Sequence, residues 1–273
     1  MLGDCLDHVR AKAPLIHCIT NYVTVNDVAN MLLACGGSPV MSDDVEEVEE
    51  VTALAAGLCL NIGTLNRRTV PSMFAAGRRA NTLGHPVVLD PVGVGSSALR
   101  TRTARELAQI LRPAVIRCNI SEIKALTAGL ETTRGVDAAP ADAVTEDSLA
   151  AGVSFVKSAA VRLGAVAAVT GAIDLVSDGE TCYVIRNGRP EMGRITGTGC
   201  QLSALTAAFL AANPGRPLEA AAAAAAAMGL AGEIGWVNMA PADGNATYRN
   251  RIIDAIFHMD GQALDKGANY EIR

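Results

Sequence analysis

Two glycines flank a threonine in Gly197-Thr198-Gly199, Cys200 follows, and an apolar helical pattern starts at once with Leu202, Leu205, Thr206, Phe209 and Leu210. Glycine lets backbone N–H groups converge on a bound group, and a helix beginning there adds unpaired donors and the positive end of its dipole. Together these make an anion site with an ionisable side chain at its lip, a suitable place to transfer a phosphoryl group. Cys200 falls in the first helical turn, where a thiolate is favoured, so a lowered thiol pKa is expected. The same residues also read as a plain strand-to-helix connection, and the motif alone does not separate the two readings.

Phosphate chemistry needs positive charge, and lysine is scarce: Lys12, Lys124, Lys157 and Lys266 are dispersed, and no Walker A loop is present. Arginine, backbone amides and a metal must then neutralise the phosphates. Asp90 and Glu122 are the candidates to hold Mg²⁺, which takes one or two carboxylates and leaves its other positions to water and phosphate. Each has a plainer reading, Asp90 as a turn carboxylate and Glu122 as a helix N-terminal charge. Gly93-Val94-Gly95-Ser96-Ser97-Ala98 matches a dinucleotide-binding fingerprint, but Pro91 stiffens that turn. The next strand also ends at Asn119, without an acid for a ribose hydroxyl, so the match is set aside.

Something must bring these residues together. Helical spacing is expected over residues 5–12, 25–35, 66–83, 102–111 and 146–163, with a short helix over 122–127 capped by Ser121. Strands are expected over residues 15–19, 38–41, 58–63, 86–90 and 113–117, the last running on to Asn119. Three more at 166–170, 173–177 and 182–186 are joined by turns at Gly171 and Asp178-Gly179, and two or three helices close the chain. Residues 138–143 read as a loop, and the acidic run 43–50 as a solvated helix face. Strands alternating with helices imply an α/β fold with a mainly parallel sheet covered on both faces, and no linker divides the 273 residues, so one domain is expected. In such a sheet ligands bind beyond the carboxyl ends of the strands. Asn21, Met41-Ser42, Asn61 to Gly63, Asp90, Arg117 to Asn119 and Thr170-Gly171 all fall there.

The totals exclude other classes. A net charge of −5 and 3% aromatic residues argue against a nucleic-acid surface, which needs basic patches and stacking rings. Seven cysteines without a C-x-x-C pair read as reduced thiols of a cytoplasmic protein, and four scattered histidines give no metal spacing. Residues 1–4 show no signal peptide, and the alanine run 220–227 reads as a tightly packed helix of a soluble protein and not a membrane span.

Asn119-Ile120-Ser121-Glu122 resembles the N-x-x-E motif of the ribokinase-like superfamily, and Gly197-Thr198-Gly199-Cys200 resembles its anion-hole motif. Most of that superfamily carries an aspartate where Cys200 stands, and cysteine is usual in the hydroxyethylthiazole kinase family. Residues 14–23, 38–41, Asp90 to Gly93, Thr170-Gly171 and 174–179 resemble the same family, across roughly residues 13–235, while 243–256 resembles it only loosely. The resemblance implies a single-domain ribokinase-like three-layer fold over residues 1–273. It also implies ATP- and Mg²⁺-dependent phosphorylation of 4-methyl-5-(2-hydroxyethyl)thiazole in thiamine salvage, by a cytoplasmic homotrimer with sites between subunits. Carried over by position, Met41 and Gly197 contact the thiazole, with Asn21 and Gly63 completing its pocket. Arg117, Thr170 and Asn119 face ATP, Asp90 and Glu122 face the metal, and Gly197, Thr198, Gly199 and Cys200 form the catalytic turn. Alternatives are a sibling kinase for hydroxymethylpyrimidine or pyridoxal, a cysteine hydrolase built on Cys200, and a nucleotide-binding protein without turnover.

Overall fold

The computed structural model describes residues 1–127 and 143–273. Its centre is a nine-stranded sheet in the order β2-β1-β3-β4-β5-β6-β7-β8-β9. The strands are β1 (Leu15–Ile19), β2 (Ser38–Met41), β3 (Gly57–Asn61), β4 (Val87–Asp90), β5 (Val115–Asn119), β6 (Val166–Thr170), β7 (Asp174–Ser177), β8 (Cys182–Ile185) and β9 (Tyr270–Ile272). The pairings from β2 through β6 are all parallel, and β6–β7, β7–β8 and β8–β9 are antiparallel. The apolar runs of β3 and β4 are buried throughout, as a strand covered on both faces requires.

The helices are α1 (Gly3–Lys12), α2 (Val25–Cys35), α3 (Val48–Leu54), α4 (Thr69–Leu83), α5 (Ala98–Leu111), α6 (Ile120–Thr127), α7 (Leu149–Leu163), α8 (Thr198–Ala212), α9 (Pro217–Val237), α10 (Asn245–His258) and α11 (Gly261–Gly267). The first two and the last four of these pack on one face of the sheet or on one another, and α3 to α7 cover the other face. The result is the expected three-layer arrangement with a mainly parallel sheet. Helix α9 is long and apolar enough to cross a membrane, yet 78% of its most apolar window is buried inside the fold. Its alanines let it lie close to β6, β7 and β8 beneath α10, so it is a core helix.

Several boundaries moved for identifiable reasons. Helix α5 begins four residues early because Ser97 caps it, its side chain accepting from Arg100 N at 3.2 Å. Ser121 does not cap α6. Asn119 does, with Oδ1 accepting the Glu122 N–H at 2.8 Å. Of the acidic run only Glu49 and Glu50 lie on α3, and the residues before them form the turn that enters it. Four helices close the chain where two or three were expected, and β9 was not foreseen. Apart from Ala143, the loop expected over residues 138–143 lies outside the described residues.

All seven cysteines are free thiols, and all but Cys200 are buried. Burial pushes Cys35, at the end of α2, from 9.0 up to about 11. The unfolded chain therefore ionises this thiol first, so its contribution is complete below pH 9 and declines as pH rises towards 11. A gap of two units corresponds to about 2–3 kcal/mol. Urea midpoints measured from pH 8 to 11 should fall, and Cys35→Ala should flatten that fall relative to wild type.

Candidate active site

The carboxyl ends of β1, β3, β4, β5 and β6 and the amino end of α8 meet at one edge of the sheet, and nearly every residue singled out from the sequence lies there. Gly197 adopts φ +88° and caps α8, whose first turn is Thr198, Gly199 and Cys200. These four residues are half-buried. A side chain at Gly197 would be strained at this φ and would collide with Thr24 Cγ2. Gly199 is required for a different reason: an added Cβ would lie 2.9 Å from both terminal nitrogens of Arg117. The Gly197–Cys200 turn thus rests directly on a guanidinium.

Arg117, from β5, is 6% exposed and reaches three elements. Its Nη2 donates to Asp90 Oδ2 at 2.6 Å, its Nε to Ser203 Oγ at 2.9 Å and its Nη1 to Thr170 Oγ1 at 3.4 Å. Burial alone would lower its pKa, but the carboxylates of Asp90 and Glu122 outweigh that and hold it above its ordinary value. Asp90, at the end of β4, is fully buried. Its Oδ2 also accepts from Asn61 Nδ2 at 2.7 Å and from Ser203 Oγ at 2.7 Å. Its Oδ1 is buried without a hydrogen-bond partner.

Asn119 and Glu122 form a reciprocal capping box, the second bond running from Asn119 N to Glu122 Oε2 at 2.8 Å. Glu122 Oε1 accepts the Gly93 N–H at 2.8 Å, which fixes the loop after β4. Burial and the charge of Asp90 push the Glu122 carboxyl up, against Arg117 and the two backbone N–H groups.

On the other side of the turn, Asn21 Nδ2 donates to Cys200 Sγ at 3.0 Å and to Asn61 Oδ1 at 3.1 Å, while Asn21 Oδ1 accepts from Thr24 N and Oγ1 at 3.1 and 3.0 Å. Gly63 packs against the same pair, where a Cβ would come within 2.9 Å of Asn21 Nδ2 and Asn61 Oδ1. Met41 ends β2, half-buried and paired in register with Cys18. The expectation of a lowered Cys200 pKa is overturned. Burial and then the charge of Asp90 push the thiol up, outweighing Arg117, Thr24 and Asn61, because a helix terminus is a weaker influence than desolvation beside a carboxylate. Iodoacetamide should therefore label Cys200 at pH 7 more slowly than free cysteine, with the rate climbing as the pH is made alkaline. Mass spectrometry of the Cys200 peptide reads this directly.

A cavity of 480 Å³ opens on the side of the turn away from Asn21, lined among others by Thr170, Gly171, Asp174, Arg189, Thr198 and Met228. Burial pushes Asp174 up to about 7, opposed by the Gly171 N–H that its Oδ1 accepts at 2.9 Å and by Arg117. His17, the histidine nearest a strand end, is fully buried with Nδ1 2.9 Å from Thr52 Oγ1 and Nε2 2.9 Å from Ser42 O. Both its nitrogens are engaged away from Cys200, so a cysteine nucleophile has no imidazole base here. Among the described residues no three histidine, cysteine or acidic side chains come together as a metal cage.

From the sequence alone Thr24, Arg100 and Ser203 carry no assigned role, Asn61 is placed only at a strand end, and Asp174 only at the start of the 174–179 segment. Ser203 carried a usable signal: four residues after Gly199, it lies on the helix face that the glycine presents to Arg117. Arg100 carried none, since its bonds go to backbone carbonyls of two loops.

Residues 6–262 match the hydroxyethylthiazole kinase family model. The chain is 54% identical over 271 residues to a hydroxyethylthiazole kinase of Clostridium acetobutylicum, covering 99% of each chain. It is 46% identical to one of Desulfovibrio desulfuricans, covering 98% of this chain and 97% of that one. Among solved structures, the hydroxyethylthiazole kinase protein of Pyrococcus horikoshii OT3 superposes with a TM-score of 0.88 at 35% identity, covering 100% and 98% of the two chains. The Staphylococcus aureus pyridoxal kinase in complex with ADP shares the fold, with a TM-score of 0.64 at 15% identity and coverage of 95% and 97%.

Proposed function

The chain belongs to the hydroxyethylthiazole kinase family, and we propose that it transfers the γ-phosphoryl group of ATP to the alcohol of 4-methyl-5-(2-hydroxyethyl)thiazole in thiamine salvage. The observation that carries this reading is the two-sided turn. Gly197 to Cys200 has a cavity bounded by Thr170, Thr198 and Gly199 at its first turn and the hydrogen-bonded cluster of Asn21, Asn61 and Cys200, with Gly63 packed against it, at its other flank. ATP occupies the cavity, with its terminal phosphates against the first N–H groups of α8 and the charge of Arg117 beneath them. Thr170 and Asn119 flank the phosphates. The thiazole occupies the other side against Met41, Asn21, Gly63 and Gly197.

The alcohol oxygen forms a bond to the γ-phosphorus as the bond from that phosphorus to the β-γ bridging oxygen breaks, leaving ADP. A loose transition state needs placement more than a strong base, and a thiol held protonated suits that demand. Cys200 therefore positions the hydroxyl, and the hydroxyl proton departs to Cys200 only when its thiol has ionised, or otherwise to the transferred phosphoryl group. The residues fit Mg²⁺ unequally. Asp90 Oδ1 is a buried acceptor without a partner, whereas both Glu122 oxygens already receive backbone N–H groups. Asp90 is the residue that would hold the ion, with Glu122 behind it, and bound Mg²⁺ would offset phosphate charge.

We extend the reading to one ribokinase-like domain over residues 1–273, assembled as a homotrimer with sites between subunits. Tyr22 and Val23, 76% and 60% exposed beside Asn21, give an apolar lip of the kind a neighbouring subunit covers. The acidic charge and free thiols favour a reducing cytoplasm and no nucleic-acid or membrane partner. Purified protein incubated with Mg·ATP and the thiazole should release ADP and form thiazole phosphate, seen by mass spectrometry, only when all three components are present. ADP release without the phosphate ester would contradict the proposal.

A further inference from the structure

The loops after β3 and β4 belong, on the reading just given, to different halves of the site: Gly63 to the acceptor side and Asp90 to the cation side. Asn61 stands between them, 1% exposed. Its Nδ2 donates to Asp90 Oδ2 at 2.7 Å, and its Oδ1 accepts from Gly63 N at 2.8 Å and Asn21 Nδ2 at 3.1 Å. The second proton of Asn21 Nδ2 goes to Cys200 Sγ at 3.0 Å. Two rigid planar amides thus link the carboxylate to the thiol, and the two lone pairs of Asn61 Oδ1 and both protons of Asn21 Nδ2 are used. Neither end can shift without moving the other or stranding a buried polar group.

A second tie runs in parallel. Arg100, half-buried at the start of α5, donates through Nη1 to Ile62 O at 2.7 Å and Val92 O at 2.8 Å, and through Nη2 to Gly63 O at 2.7 Å. One guanidinium therefore strings the two loops together from outside while Asn61 joins them from within. The backbone adds Ile62 N to Asp90 O at 3.1 Å.

We propose that Asn61 is a positioning residue that couples occupancy of the Mg·nucleotide side to the acceptor pocket, so that the alcohol binds more tightly once the nucleotide is in place. The inference rests on the proposed function for the identity of the two ligands, but its readout is a ratio of affinities and not turnover. Hydroxyethylthiazole is titrated calorimetrically into the full-length protein, alone and with saturating Mg·AMP-PCP. Wild type should show a gain in affinity of about tenfold with the nucleotide, within the usual range for coupled sites. Asn61→Leu should reduce the gain below about twofold while changing the affinity for Mg·AMP-PCP alone by no more than about threefold, a split that a merely structural residue would not produce. Arg100→Met, at a half-buried position where folding is less exposed to risk, should lower the gain in the same direction. A gain retained in both variants, or no gain in wild type, overturns the coupling. If wild type binds Mg·AMP-PCP but not the thiazole, the substrate assignment has failed instead. The same ratio is then read with pyridoxal or hydroxymethylpyrimidine, and a ratio of one for the alcohol that binds overturns the coupling separately.

Discussion

Arg117→Met lowers the stability of the protein by about 3–5 kcal/mol and abolishes phosphorylation. The cause is the fully buried Asp90, whose Oδ2 meets Arg117 Nη2 at 2.6 Å and whose remaining partners, Asn61 and Ser203, are neutral. Removing the guanidinium leaves a carboxylate in the interior with no cation, and such a charge costs far more than a missing surface ion pair. It also removes the floor of the Gly199 turn. The double variant Asp90→Asn/Arg117→Met should recover most of the lost stability, because the amide is neutral, and none of the turnover. Thermal or urea unfolding of the three variants, run beside the phosphorylation assay, separates the two effects. If the double variant is no more stable than Arg117→Met, the buried charge is not the source of the loss.

Gly197→Ala should reduce turnover by about a hundredfold or more while leaving global stability within about 2 kcal/mol, since donors aimed at developing charge contribute on that scale and strain at one turn is of that size. Gly197 has φ +88°, and its missing Cβ faces Thr24 Cγ2. Alanine must either push Thr24 away, taking with it the hydroxyl that donates to Asn21 Oδ1 at 3.0 Å, or rotate the turn whose N–H groups are proposed to receive phosphate. Thr24→Ser removes the colliding methyl and keeps the hydroxyl, so adding it to Gly197→Ala should restore part of the activity. Steady-state kcat and KM for both substrates check this, and no partial recovery would show that φ, not the collision, sets the cost.

The parts of the site that were legible in the sequence are those with local causes. Continuous apolar runs ending in a polar residue gave β1, β3, β4 and β5 and placed Asn21, Asn61, Asp90 and Asn119 at one sheet edge. Gly197-Thr198-Gly199 announced a helix start because only glycine enters α8 at that φ. What the sequence hid depends on distance along the chain. Strand β9 is three residues long and pairs with β8 more than eighty residues before it, so no periodicity betrays it. The Cys200 thiol was misjudged because its helix terminus is local, whereas the burial and the Asp90 carboxylate that dominate it arrive from elsewhere. Glu122 was legible as a motif, but its two oxygens turn out to secure Asn119 and Gly93. Arg100 reads as one more polar helix residue until the loops it joins are seen side by side.

We propose that the acceptor side of the site, at Asn21, Met41 and Gly63, favours the thiazole alcohol over the alcohols of the sibling kinases. The most direct measurement is kcat/KM for hydroxyethylthiazole, hydroxymethylpyrimidine and pyridoxal, each with saturating Mg·ATP and the same preparation of wild-type protein. The expected result is a preference for the thiazole of about a hundredfold or more over either competitor. Equal values, or a preference for pyridoxal or the pyrimidine, would contradict the assignment of the acceptor side while leaving the fold and the geometry of the Gly197–Cys200 turn as described.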